Sequence, residues 1–84
     1  MNFENLLKHI RSTEMPQYVH IIIGFKDNTN TTIYDGDLRD MPYCIITQYC
    51  NEQVIHSVSR YAGSDYDIYI GFATDYIKKV KENA

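Results

Sequence analysis

The sequence predicts an α+β domain: an antiparallel sheet of about four strands, built from two hairpins, with a short helix between them and helices at both termini. Three observations carry this α-ββ-α-ββ-α reading. Residues 18–25 and 66–72 place apolar side chains at every second position, the period of a strand. Residues 3–10 and 74–83 place them at helical spacing instead. Between the two strand regions runs Thr32-Ile33-Tyr34-Asp35-Gly36-Asp37-Leu38-Arg39-Asp40-Met41-Pro42-Tyr43, which is polar and rich in turn-forming residues.

Asn2 is placed to cap the first helix, whose stripe is Phe3, Leu6, Leu7 and Ile10. Thr13-Glu14-Met15-Pro16 ends it, because the residue before a proline avoids the helical region. In the first strand Val19, Ile21, Ile23 and Phe25 face one side, and Tyr18, His20, Ile22 and Gly24 the other. Lys26-Asp27-Asn28-Thr29-Asn30 is a polar turn, and Thr31–Tyr34 returns as the second strand. Asp35-Gly36 is expected to end that strand with a glycine-permitted reversal. A helix is expected from Asp40 to about Tyr49, with Asp40 near its cap and Pro42 in its first turn. Val54–Tyr61 is the third strand and Ala62-Gly63-Ser64-Asp65 a turn. Tyr66–Phe72 is the fourth strand, with Ile68, Ile70 and Phe72 inward and Asp67, Tyr69 and Gly71 outward. The last helix spans Thr74–Asn83, capped by Thr74 or Asp75, and the helices are expected on one face of the sheet.

Eighty-four residues make a single compact domain, 1–84, near the lower size limit for a chain that folds alone. The formal charge of −3 provides no basic face for duplex nucleic acid and mildly favours a basic partner. Apolar runs are far shorter than a membrane span needs, so no membrane partner is expected. Met1-Asn2-Phe3-Glu4-Asn5 has neither the basic region nor the apolar core of a signal peptide, and a cytoplasmic location is expected. Cys44 and Cys50 are six residues apart, about 600° around a helix, which suits two packed thiols and not a disulfide or zinc pair.

The sequence contains no glycine-rich phosphate loop and no nucleophile or zinc-hydrolase motif, so neither an enzyme nor a cofactor is expected. Asp35, Asp37 and Asp40 take only the first step of a calcium-loop pattern, and no metal is expected there. His9, His20 and His56 are not at ligand spacing. What remains is a surface for binding. Tyrosine costs little entropy to order and suits contact surfaces. A sheet face with Tyr18, His20, Ile22 and Tyr69 is too apolar for bare solvent. The expected binding residues are therefore Tyr18, His20, Tyr34, Asp35, Asp37, Arg39, Asp40 and Tyr69. A protein partner, a second copy pairing through a sheet face or edge, and a nucleotide stacked on tyrosine with Arg39, Arg60 or Lys26 on its phosphate are the occupants this composition allows.

The stretch Ile33–Tyr43, followed by Glu52-Gln53-Val54-Ile55 and Asp67-Ile68-Tyr69-Ile70, resembles small accessory proteins of phages and mobile elements of low-GC Gram-positive bacteria. The opening helix followed by strands is similar in layout to small anti-CRISPR proteins. That resemblance implies a non-enzymatic inhibitor or sequestering protein in an infected bacterial cell. It would block a host defence protein by stoichiometric binding or, in the alternative, act as an oligomeric sponge for a nucleotide signal. A plain dimerising structural or regulatory module is the third reading. The mild charge departs from the strong acidity of DNA-mimicking members.

Overall fold

The computed structural model describes residues 1–11, 17–60 and 65–82. The expected helix stop at Thr13–Pro16, residue Tyr61, the turn residues Ala62-Gly63-Ser64 and residue Asn83 lie outside them. In chain order the elements are α1 (Phe3–Arg11), β1 (Tyr18–Gly24), β2 (Asn30–Asp37), a 3-10 turn (Leu38–Asp40), α2 (Tyr43–Tyr49), β3 (Val54–Arg60), β4 (Asp65–Gly71) and α3 (Asp75–Glu82). The α-ββ-α-ββ-α order is the expected one, and both hairpins, β1–β2 and β3–β4, are antiparallel.

The sheet as a whole is mixed, not antiparallel. Its order is β2-β1-β4-β3, and the two hairpins meet through β1 and β4, which run parallel from Tyr18↔Asp65 to Gly24↔Gly71. The hydrophobic effect explains why these two strands take the centre. Ile21-Ile22-Ile23 puts isoleucine on both sides of β1, and Asp67–Ile70 is buried without a break, as strands covered on both faces require. The outer strands β2 and β3 are only partly buried.

Helices cover both faces, which corrects the one-sided expectation. On the first face Phe3, Leu6, Leu7 and Ile10 of α1 pack against Val19, Ile21, Ile23, Ile68 and Ile70, with Leu38 and Met41 closing one end. Ile45, Ile46 and Tyr49 of α2 flank this core. Asn2 caps α1 as its position predicts, its Oδ1 accepting from Asn5 N at 2.9 Å. The start of α1 is tied to the start of β3, with Phe3 N donating to Glu52 O at 2.8 Å and Val54 N to Met1 O at 3.0 Å. On the second face Ile77 of α3 packs on Ile22 and Tyr69, with Ile55 and Val80 around them. Thr74 is the cap of α3, its Oγ1 accepting from Ile77 N at 3.2 Å. Helix and sheet come this close because Gly24 has no side chain: a Cβ there would collide with the Phe72 carbonyl and sit 2.9 Å from Ile77 Cδ1.

Two boundaries differ from expectation. β2 does not end at Asp35-Gly36; Gly36 pairs with Val19 and the strand continues to Asp37. The left-handed residue of this hairpin is Asn28, at φ 70° in the β1–β2 turn, where a short polar side chain tolerates that conformation. The helix expected from Asp40 is divided. Asp37 caps the 3-10 turn, Met41 and Pro42 are extended with ψ 126° and 136°, and α2 begins only at Tyr43. Asp40 therefore caps nothing and Pro42 precedes the helix. The cause is the proline, which drives Met41 out of the helical region.

Phe25 and Phe72, expected to continue the inward rows, lie beyond the strand ends and are exposed. Among the described residues no helix is long and apolar enough to cross a membrane.

Candidate binding face

Strand pairing sets the side chains of the second face in rows, because partners across a sheet point the same way. In the first row Tyr18 stands between Asp37 and Asp65, and in the next His20 stands between Asp35 and Asp67. Ile22 follows, between Thr32 and Tyr69. Helix α3 seals this third row, while in the first two rows Tyr18, His20, Asp35, Asp37 and Asp65 keep solvent access and Asp67 is buried. Tyr18 is 46% exposed, whereas Ile22 and Tyr69 are 4% exposed. The open half of the face thus carries Asp35 and Asp37 of β2 and Asp65 of β4, flanking one phenol and one imidazole on β1, with the buried Asp67 completing the second row.

Local contacts fix these groups. The Asp35 carboxylate accepts a hydrogen bond from the Tyr18 phenol and raises its pKa, helped by partial desolvation and by the charges of Asp35, Asp65 and Tyr34. His20 Nε2 is 3.2 Å from Thr32 Oγ1, and its Nδ1 is 3.8 Å from Asp67 Oδ1. Asp37 accepts from Arg39 three times, from the backbone N at 2.8 Å, Nε at 3.1 Å and Nη2 at 2.9 Å. This bidentate pair holds the Asp37 carboxyl below the usual carboxylate range and raises Arg39. Leu38, buried beside it, donates from N to Gln17 O at 2.8 Å and anchors the connection next to Tyr18.

The structure thus brings Tyr18, His20, Asp35 and Asp37 onto one half-face, with Arg39 at its rim through Asp37. It separates the other expected residues from them. Tyr34 belongs to the first face, packed on the core, with its OH donating to Asp37 O at 2.6 Å. Its pKa is raised by desolvation and then by the charges of Asp40 and Asp37. Asp40 is exposed at the end of the 3-10 turn and acts on Tyr34, away from the row of Tyr18. Tyr69, expected to face outward, is instead buried in the core under α3. Its ring lies 6.0 Å from the His56 ring and 6.5 Å from that of Tyr76.

Asp65 and the buried Asp67 stand in the same rows and are not among the expected binding residues. Asp67 shares the strand parity of Tyr69, which already puts it on this face, and Asp65 was assigned to a turn. Of the cations expected to reach a phosphate, Arg60 pairs in backbone register with Asp65, the strand neighbour of Tyr18. Arg39 is engaged by Asp37, and Lys26 lies at the opposite end of the sheet, 5.4 Å above the Phe72 ring. Asp35, Asp37 and Asp65 around Tyr18, with Arg39 offsetting Asp37, disfavour a phosphate and favour a cation. Among the described residues, no three His, Cys, Asp or Glu side chains are grouped as ligands for a metal ion.

A concavity lies on the helix-covered first face. It is a groove of about 370 Å³ between α1 and α2, lined by Glu4, Leu7, Lys8, Tyr43, Ile46, Thr47 and Cys50. Comparison with protein-family models, with curated proteins and with solved structures gives no match for this chain.

Proposed function

We propose that the protein is a non-enzymatic binding module that occludes a protein partner stoichiometrically, and that the partner's basic surface covers the open half-face around Tyr18 and His20. The observation that carries this reading is the arrangement of Asp35, Asp37 and Asp65 around an exposed tyrosine on the sheet. A tyrosine ring offers area to an arginine or lysine stem at low entropic cost, and the flanking carboxylates favour the cationic end. Following the resemblance of the sequence to phage and mobile-element accessory proteins, the proposed partner is a component of a host defence system, met in the cytoplasm of the bacterial host.

The test is expression of the protein in bacteria carrying an active defence system such as CRISPR-Cas, scored by phage plating. Native protein restores plating and, used as bait, retains one defence component. The double variant Tyr18→Ala, Asp35→Asn does neither, while keeping native circular dichroism. A variant that protects phage as well as the native chain removes this face from the mechanism. Failure of the native chain against every defence system tried removes the anti-defence role.

A further inference from the structure

The groove between α1 and α2 has the features of a surface made for its own copy. Its floor is apolar, formed by Leu7 and Ile46, and Tyr43 stands at its side with 76% of its surface exposed, the most exposed of the large hydrophobic residues described. A protruding ring beside an apolar recess is a knob and a hole on one patch. A two-fold interface requires this arrangement, because each surface must be its own complement. One end of the groove is closed where Glu4 N donates to Cys50 O at 3.1 Å, joining the start of α1 to the end of α2.

The charges have the same property. Glu4 and Lys8 lie one turn apart on the groove's rim, paired at 3.1 Å, with both side chains largely in solvent. A two-fold axis crossing α1 between them sets Glu4 of one copy against Lys8 of the other, twice. We propose that the α1–α2 groove is the homodimer interface of this protein, with each Tyr43 ring seated in the groove of the partner copy and the Glu4 and Lys8 charges exchanging partners across the axis. This face is opposite the aspartate-bearing half-face, so the dimer presents two half-faces pointing outward. The inference does not depend on the proposed binding role.

Light scattering on the purified chain, concentrated and then diluted, reads the stoichiometry. The expected mass is twice the 9.8 kDa chain when concentrated, falling towards one chain on dilution. Tyr43→Ala, at a residue so exposed that folding is preserved, should weaken association by about tenfold or more, as loss of an aromatic anchor does. The charge test separates an interface role from helix stability. Glu4→Lys alone and Lys8→Glu alone each weaken self-association, because like charges then face each other. A mixture of the two variants forms heterodimers in preference to either homodimer. A monomer at every concentration overturns the proposal. So does a dimer indifferent to Tyr43→Ala, or one in which the mixed variants associate no better than each alone.

Discussion

The two faces of this sheet are closed by unequal amounts of helix, and the inequality creates the open site. On the first face α1 and α2, with Leu38 and Met41, leave Val19, Ile21, Ile23, Ile68 and Ile70 at 0–3% exposure. On the second, α3 has eight residues, about 12 Å of helix, over strands of seven residues, about 23 Å long. Half a face is the most it can cover. The chain's composition matches that limit: apolar Ile22 and Tyr69 lie under α3, and Tyr18, His20 and the aspartates lie beyond it. The first face makes the fold, and the second divides its length between a small satellite core and an open stretch that carries Tyr18 and His20.

The sharpest way to break the comparison is to empty each core in turn. Ile21→Ala or Ile68→Ala on the first face should cost about 2–5 kcal/mol and lower the whole unfolding transition in denaturant. Ile77→Ala on the second should cost less, about 2–3 kcal/mol, and its effect should be local. Amide exchange should rise through α3 while β1 and β4 keep their protection. Equal loss of protection everywhere would make the two cores one cooperative unit.

A smaller effect concerns how α3 is held. The Asn28 side chain donates to Asp75 Oδ2 at 2.9 Å and accepts from Asp75 N at 2.8 Å, tying the β1–β2 turn to the first residue of the helix. Asn28→Gly keeps the left-handed backbone and removes only these bonds, so a loss of about 1 kcal/mol, again concentrated in α3 exchange, is expected.

The smallest effect is electrostatic and reports on the open half directly. Tyr18 has its pKa raised in the folded state, chiefly by its hydrogen bond with Asp35. The stability that goes with a raised pKa is fully present below the ordinary tyrosine value and is lost as pH rises through the folded one. Asp35→Asn should therefore lower the Tyr18 pKa towards that of an exposed phenol, followed by NMR of labelled tyrosine rings. Denaturation near neutral pH should hardly change.

Much of this fold was legible because its signals are local. The stripe of Phe3, Leu6, Leu7 and Ile10 with Asn2 as cap, the alternation in β1 and β4, and Thr74 ahead of α3 are set by neighbours a few residues apart. The parallel contact of β1 with β4 joins segments far apart in sequence, and its one local trace, the unbroken Ile21-Ile22-Ile23, reads as strand without naming a neighbour. Met41 before Pro42 did carry the α2 boundary, through the same steric rule that stops α1. At the site, parity placed Tyr18, His20 and Asp67 on one face. Which half of that face stays open follows from α3 folding back over Tyr69, and no short-range pattern encodes that return. The grouping of Asp35 and Asp37 with Asp65 depends on the same long-range pairing.

The most direct test of the central claim is a backbone amide NMR titration of the labelled protein with the partner captured by the native chain. Shifts concentrated at Tyr18, His20, Asp35, Asp37, Asp65 and Asp67 are the expected result, with α1, α2 and Tyr69 little moved. Shifts confined to α1 and α2, with the Tyr18 and His20 amides unchanged, would contradict it and transfer the binding role to the other side of the sheet.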